Sequence, residues 1–296
     1  MTRQIDPELV QIAARYAAPP TEDKTAAGLP ASRAASHAAR VNLHGAYVDE
    51  VTMHVEDGLR RFVPNKGADP AGVVVYIHGG GWITCDTVTH MSIMEDLAAL
   101  TGYEVIGPEY PLAPEEPYPA AHNHLMAFVE DVAATHPNAK LYVGGDSAGA
   151  NLSLGVAAHL RDAGKGDLIA GLFLWYGCYR REFTTPAHQA YGGGEFGLTT
   201  ESMRQAWAWY LQDQPAPYGE LSGLDVTGLP PAWLCEAELD CLASDTRWLA
   251  GKYAQAGIDH AYDFFAEVNH GFNHYGADYP PALQSIARAA HFIKRP

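Results

Sequence analysis

The feature that most constrains this chain is a short apolar run followed by Gly-Asp-Ser-Ala-Gly and a segment rich in small residues. Residues 141–143 are typical of a buried strand, and residues 147–163 have helical spacing. Such a strand-to-helix turn holds its apical serine, here Ser147, in a strained and exposed position, and Gly145 and Gly149 give it room. Because a helix N-terminus favours negative charge, the pattern predicts that Ser147 is a nucleophile.

Apolar runs and helical stretches alternate along the rest of the chain. We expect strands at residues 46–56, 59–63, 71–77, 103–106, 141–143, 168–176, 232–237 and 261–266. Helical spacing occurs at residues 7–16, 88–100, 119–135, 147–163, 199–212, 243–256 and 281–293. The first two strands are expected to form a hairpin across Asp57-Gly58. This order favours one α/β domain over residues 1–296, with a mostly parallel sheet flanked by helices.

Composition and charge exclude several classes of partner. The formal net charge is −16, which argues against nucleic acid and anionic membranes. The longest apolar run, residues 168–179, is too short to span a bilayer. The first residues contain no apolar segment of the kind that export signals carry, so we expect a cytoplasmic protein. The four cysteines show no CxxC spacing, and we expect free thiols.

A second motif follows the strand at residues 71–77. It reads His-Gly-Gly-Gly-Trp, and consecutive glycines let backbone N–H groups approach a ligand closely. An enzyme that transfers acyl groups needs such donors for the oxyanion of its tetrahedral intermediate. We therefore predict an oxyanion hole made by the N–H groups of Gly79, Gly80 and Ala148. Zinc motifs, a dinucleotide fingerprint and a P-loop are all missing from the sequence, so we expect neither a metal nor another cofactor.

The general base and its acid partner are expected after the serine in this architecture. His270 follows the final predicted strand and precedes a glycine, whereas His274, four residues on, is the alternative base. The run at residues 230–240 ends a strand at Asp240. This residue is expected to face the site and to hold the His270 tautomer. Asp245 is the alternative acid, although its position suits a cap on the next helix.

The substrate pocket is less constrained by the sequence. Trp82 and Asp146 adjoin the two motifs, and Trp207 and Trp209 lie in the helical stretch at residues 199–212. Residues two apart on a helix point about 200° apart, so only one of these two tryptophans is expected to narrow the space above Ser147 with Trp82. A narrow apolar site predicts a preference for acyl chains of about two to six carbons.

Four motifs together resemble those of the hormone-sensitive-lipase-like esterases of the α/β-hydrolase superfamily. They are residues 78–82, residues 145–149, the segment Tyr-Pro-Leu-Ala-Pro-Glu-Glu-Pro-Tyr-Pro-Ala-Ala at residues 110–121, and the pair Asp240 and His270. The resemblance implies an α/β-hydrolase fold with an eight-stranded sheet and a carboxylesterase acting on short-to-medium acyl esters. It also implies a small helical cap, formed here by about residues 1–45 and 180–215.

Two other functions remain open at this stage. The His-Gly-Gly-x-Trp loop also looks like that of arylformamidases, which cleave an amide with the same machinery. Plant hormone receptors that resemble this family bind small molecules without catalysis, but they lack a working base, whereas His270 is present here. The expected partner is a small-molecule ester, and the chain is expected to be a monomer or a homodimer.

Overall fold

A single sheet organises the chain. The computed structural model describes residues 3–19, 25–56 and 58–295. Its strands are β1 (Val51–Glu56), β2 (Leu59–Pro64), β3 (Gly72–Ile77), β4 (Glu104–Pro108), β5 (Lys140–Asp146), β6 (Gly171–Trp175), β7 (Ala232–Leu239) and β8 (His260–Asn269). They form one sheet in the order β1-β2-β4-β3-β5-β6-β7-β8. β2 is antiparallel to β1 and β4, and the other pairs are parallel. The predicted mostly parallel, eight-stranded sheet is therefore confirmed.

Helices follow most of the strands. They are α1 (Pro7–Arg15), α2 (Leu29–Arg40), α3 (Met91–Thr101), α4 (Ala120–Thr135), α5 (Ala148–Asp162), α6 (Pro186–Tyr191), α7 (Thr200–Leu211), α8 (Ala243–Ala256) and α9 (Pro280–Ile293). Among the described residues, none of these helices has the length and apolar character needed to cross a membrane. All four cysteines are free thiols, as predicted.

The continuous apolar run of β3 has a simple physical origin. Alternate residues of a strand point to opposite faces of the sheet, and both faces are covered here. Val73, Val75 and Ile77 pack in a core with α4 and α5, while Val74 and Tyr76 pack in a second core with α3 and α9. All six residues of β3 are buried. A strand buried on both faces has no polar side, so its sequence does not alternate.

The first strand is shorter than predicted. Residues 46–56 alternate, but residues 48–50 form a 3₁₀ turn and the strand begins at Val51. Two carboxylates of α3 take the backbone donors that a ladder would need. Glu95 accepts the N–H of Gly45 at 2.7 Å, and Asp96 accepts the N–H of Tyr47 at 2.9 Å. The hairpin pairs Glu56 with Leu59, and Asp57 lies outside the described residues.

The segments expected to form a cap contain α1, α2, α6 and α7. The helix α1 packs Leu9 and Ile12 into the core that contains α3 and α9. By contrast, α2 and α7 contribute side chains to a cavity at the carboxyl ends of the central strands. The division of the chain into a hydrolase domain and a cap at residues 1–45 and 180–215 stays a prediction.

Candidate active site

The turn between β5 and α5 has the strained geometry that its sequence indicates. Ser147 lies directly between the strand and the helix, with φ at +54°. This is a region that residues other than glycine seldom adopt. A Cβ on Gly145 would lie 1.9 Å from the carbonyl oxygen of Ile77, and one on Gly149 would lie 2.0 Å from the same oxygen. The two glycines are therefore required because the end of β3 passes directly against the turn.

Three predicted side chains meet at this turn. His270 Nδ1 donates to Asp240 Oδ2 at 2.6 Å, and Ser147 Oγ donates to His270 Nε2 at 2.9 Å. The parallel ladder pairs Leu239 with Asn269, so Asp240 and His270 leave adjacent strands side by side. The other oxygen of Asp240 accepts the N–H of Leu242 at 2.9 Å. Both carboxylate oxygens are thus committed, which fixes the orientation of the imidazole.

The electrostatics suit a general base at His270. Burial lowers the pKa of His270, but the charge and hydrogen bond of Asp240, together with the charge of Asp146, outweigh burial and raise the pKa above its ordinary value. The Tyr176 ring packs on the imidazole with centroids 4.6 Å apart. The Tyr176 hydroxyl donates to Asn273 in the loop after β8. Nothing in the sequence marked Tyr176 as a neighbour of the base, because it lies after a different strand.

The alternative acids have other partners. Asp245 accepts the backbone N–H groups of Tyr179 and Arg180 at 2.8 and 3.0 Å, and it pairs with the Arg180 guanidinium at 2.8 Å. It therefore orients the loop after β6 and does not reach the imidazole. Glu236 is fully buried within β7 and pairs with Arg247 from α8. Only Asp240 is placed to hold His270.

The glycine loop after β3 differs in one respect from the expectation. The N–H of Gly79 donates to Asp146 Oδ1 at 2.8 Å, so it is already used. Among the described residues, the N–H groups of Gly80 and Gly81 have no protein acceptor, and both residues line the cavity beside Ser147. Ala148 is the first residue of α5, where helix geometry leaves the N–H without an intrahelical partner. The free donors beside Ser147 are therefore on Gly80, Gly81 and Ala148.

Asp146 anchors the loop that carries these donors. Its Oδ1 accepts from the Tyr76 hydroxyl at 2.8 Å as well as from Gly79, and His90 Nε2 lies 3.3 Å away. Burial raises the pKa of Asp146, but His90 and the other donors outweigh burial and hold it below its ordinary value. His90, Asp146 and His274 bring ligand-type atoms within 4.8 Å of one another. The hydrogen bonds to Asp146 give this cluster a clear structural role in positioning Gly79.

A cavity of about 280 Å³ opens beside Ser147. The part of the lining that comes from the ends of strands and the residues just after them, which we name the sheet wall, is made by Gly80, Gly81, Asp146, Ser147 and His270. The part of the lining that comes from helices, which we name the helical wall, is made by Arg40 of α2 and by Ser202, Met203 and Ala206 of α7. A neighbouring cavity between α2 and α7 shares Ile83 and Ser202 with the first, which makes it an approach to the site.

The three tryptophans that were expected to line the substrate pocket do not line the cavity beside Ser147. Trp82 and Trp207 are fully buried in the core and pack against each other with ring centroids 4.4 Å apart. Trp209 is half-buried and lines the approach between α2 and α7. The two helix residues do face different directions, as predicted, but neither narrows the space above Ser147. Trp82 turns inward because Tyr210 also stacks on it, at 4.5 Å. Of the predicted pocket residues, the cavity beside Ser147 includes Asp146.

Comparison with known proteins identifies the class of this fold. A family model for the alpha/beta hydrolase fold matches residues 74–274, which is more than half of the chain. The chain therefore belongs to the alpha/beta hydrolase family. The matched range includes the glycine loop, Ser147, Asp240 and His270.

Solved structures narrow the comparison to esterases. An esterase of the bacterial hormone-sensitive lipase family is similar at 24% identity, with 99% of each chain covered and a TM-score of 0.87. A hyperthermophilic esterase from the archaeon Pyrobaculum calidifontis is 26% identical, with 98% of each chain covered and a TM-score of 0.85. A thermostable esterase from Pseudomonas putida is 21% identical, with a TM-score of 0.86 over 99% of this chain and 98% of that one. The resemblance stated from the four motifs is confirmed.

Proposed function

We propose that this protein is a serine carboxylesterase that hydrolyses small esters with short acyl chains. The observation that carries the proposal is the continuous hydrogen-bond chain from Asp240 through His270 to Ser147. Such a chain is the arrangement that activates a serine hydroxyl for attack on an acyl group. The similar structures are esterases, which favours an ester over an amide as the substrate.

The geometry gives each residue a step in acyl transfer. Ser147 Oγ attacks the ester carbonyl carbon while His270 Nε2 takes the hydroxyl proton, and Asp240 stabilises the imidazolium that forms. His270 then protonates the leaving alcohol as the tetrahedral intermediate collapses to an acyl-enzyme. A water molecule, deprotonated by His270, attacks this acyl group and releases the acid and free Ser147.

The oxyanion of each tetrahedral intermediate needs fixed donors. The N–H groups of Gly80, Gly81 and Ala148 are the ones free to serve, and they replace the predicted set of Gly79, Gly80 and Ala148. Donors that are already oriented stabilise the developing charge without further reorganisation. One such donor lowers the activation free energy by about 3 kcal/mol. The bond from Gly79 to Asp146 fixes the loop from behind.

The cavity supports a small substrate. Its volume of about 280 Å³ lies just below the usual range for ligand sites. Met203 and Ala206 of α7 line it together with the glycine loop. A Cβ on Gly81 would lie only 3.4 Å from the Cβ of Ala206. The predicted preference for acyl chains of about two to six carbons therefore remains in the proposal, with α7 as its cause in place of the tryptophans. The cytoplasmic location also stays a prediction.

The decisive experiment replaces Ser147. We expect Ser147→Ala to lower kcat/KM for 4-nitrophenyl acetate by about 10³-fold or more, because only binding and the oxyanion donors remain. A serine-directed phosphonate should label the native chain at Ser147 and leave the variant unlabelled. Ser153→Ala is the matched control, since this serine lies on the same helix and its hydroxyl donates to the Gly149 carbonyl at 2.7 Å. Labelling at another serine would contradict the proposal.

The same preparation separates the remaining alternatives. Turnover of N-formylkynurenine above that of 4-nitrophenyl acetate would favour an amide hydrolase. Tight binding of small esters without any turnover would favour a receptor. A panel of 4-nitrophenyl esters from acetate to laurate measures the chain-length preference, and a maximum at ten carbons or more would contradict the short-chain proposal.

A further inference from the structure

The helical wall carries a charge that the mechanism above does not use. Among the described residues that line the cavity, Arg40 is the only arginine or lysine. It is the last residue of α2 and is half-buried. No carboxylate of the described residues lies within 4.0 Å of it. The other half-buried arginines of these ranges all have such a partner, namely Arg33, Arg60, Arg61, Arg161 and Arg180. The Arg40 guanidinium has a hydrogen bond to the Tyr275 side chain. No carboxylate of the described residues balances its charge at contact distance, which is costly for a cation withdrawn from water.

Two further polar atoms on the same cavity lack partners. His274 is 3% exposed, and its Nδ1 has no hydrogen-bond partner among the described residues. The Oγ1 of Thr84 is likewise buried and unpaired. Both residues line the cavity together with Arg40. Buried polar atoms are nearly always hydrogen-bonded in native proteins, so these two atoms, on residues that line the cavity, lack a partner that a ligand group could supply.

Electrostatic interactions show that Arg40 lies near His274 and near the residue that follows Thr84. Arg40 interacts with His274, and the cationic Arg40 contributes to lowering the pKa of His274, which burial lowers most. Arg40 also interacts with Cys85, the residue after Thr84. A neutral imidazole at His274 can donate through Nδ1 when its other nitrogen is the acceptor. A guanidinium, a hydroxyl and an imidazole N–H form a donor set that matches a carboxylate.

The negative charge of Asp146 faces the same cavity but is already compensated. Tyr76 and Gly79 donate to its Oδ1, and His90 lies 3.3 Å away. Asp146 and the Arg40 guanidinium form no ion pair within 4.0 Å, and the ion-pair partner of Asp146 within that distance is His90. Against the effect of burial, Asp146 helps to hold the pKa of Arg40 above its ordinary value, but only at longer range. The guanidinium therefore has no carboxylate in direct contact and can still pair with one from a ligand.

We propose that Arg40, Thr84 and His274 form a subsite for a carboxylate group of the substrate. This inference rests on the proposed esterase function and names its substrate class, small esters that also carry a free carboxylate. The carboxylate could belong to the acyl part, as in a monoester of a dicarboxylic acid, or to the alcohol part, as in an acylated hydroxy acid. Both place the ester at Ser147 and the anion beside Arg40 in the same small cavity.

Matched ester pairs test this subsite. The acyl arm compares the monoester 4-nitrophenyl glutarate with 4-nitrophenyl pentanoate. The alcohol arm compares 4-acetoxybutanoate with its amide, 4-acetoxybutanamide. We expect the native chain to prefer the charged member of at least one pair in kcat/KM, and Arg40→Met to lower that charged-to-neutral ratio by about tenfold or more. Using a ratio cancels any loss of folded protein. Arg40→Lys should keep part of the preference, because it retains the charge.

Arg204→Met is the matched control, since Arg204 is an exposed arginine of α7 that contacts the Phe183 ring. It should leave both ratios unchanged. Inhibition of the native chain provides a test without any variant, with glutarate expected to compete at about tenfold lower concentration than glutaramide. The subsite would be overturned if Arg40→Met left the charged-to-neutral ratio of kcat/KM unchanged in both arms. Equal inhibition by glutarate and glutaramide would also overturn it. Absence of any serine-dependent ester hydrolysis would instead overturn the proposed function.

Discussion

The two walls of the cavity are held in place by different kinds of interaction. Residues of the sheet wall follow strands, so the hydrogen-bond ladder fixes their backbone to within one register, as with Asp240 and His270 after the paired Leu239 and Asn269. The helical wall depends on how α2 and α7 lie on the rest of the molecule. On the proposed function, the difference teaches that the catalytic groups reside on the wall fixed by the backbone, whereas substrate selectivity is expected to reside on the wall fixed by side-chain packing.

The largest expected effect falls on the sheet wall. Asp240→Asn should lower kcat by about 10³- to 10⁴-fold with the fold retained, because an amide at this position favours the wrong imidazole tautomer. Steady-state kinetics on 4-nitrophenyl acetate, with circular dichroism for the fold, measures this. Asp245→Asn is the control, since it disturbs a buried pair with Arg180. It should change kcat by less than about tenfold but lower the free energy of unfolding by about 3 kcal/mol. Similar losses of kcat in both variants would contradict the assignment of the acid.

The support behind the sheet wall should matter less than its catalytic groups. Asp146→Ala removes the acceptor for Gly79 and Tyr76, so the glycine loop loses the bond that fixes it. We expect kcat to fall by about tenfold to a hundredfold, below the loss for a whole oxyanion donor, with KM nearly unchanged. Tyr76→Phe is the control, because it removes one hydroxyl and leaves the bond to Gly79. An unchanged kcat in Asp146→Ala would mean that the loop is held by other contacts.

Substitutions in the helical wall should change the preference between acyl-chain lengths more than they change the rate on the shortest ester. Ala206→Leu adds volume next to Gly81, and we expect the ratio of kcat/KM for 4-nitrophenyl hexanoate to that for the acetate to fall about tenfold. Ala208→Leu on the exposed face of α7 is the matched control. A ratio that changes equally in both variants would show that α7 does not set the chain-length limit.

The smallest effect concerns pH. Because Asp240 raises the pKa of His270, the imidazole remains protonated to a higher pH than an isolated histidine. Protonated His270 cannot accept the Ser147 proton, so kcat/KM should fall as pH decreases through a midpoint above about 6.5. In Asp240→Asn the midpoint should move to lower pH. A midpoint below 6 in the native chain would indicate that the Asp240 carboxylate does not stabilise the imidazolium.

Much of the sheet wall could be predicted because short local patterns encode it. Gly145 and Gly149 mark the turn at Ser147, and the strand ends mark Asp240 and His270. The backbone N–H groups of the oxyanion hole were harder to predict, since three identical residues, Gly79, Gly80 and Gly81, follow one another. Only the position of Asp146, after a different strand, decides which N–H is already bonded.

The amino-acid sequence by itself predicted the fold, and it predicted the three residues that the structure brings into one hydrogen-bond chain, because periodicity and turn chemistry act over a few residues. The tertiary structure alone decided that Trp82 and Trp207 belong to the core, that Trp209 lines the approach, and that Arg40 lines the same cavity as Ser147. It also moved the start of β1 to Val51, through carboxylates of α3 that lie about 50 residues away in the chain. Such contacts depend on how distant helices pack, and no local pattern specifies that packing.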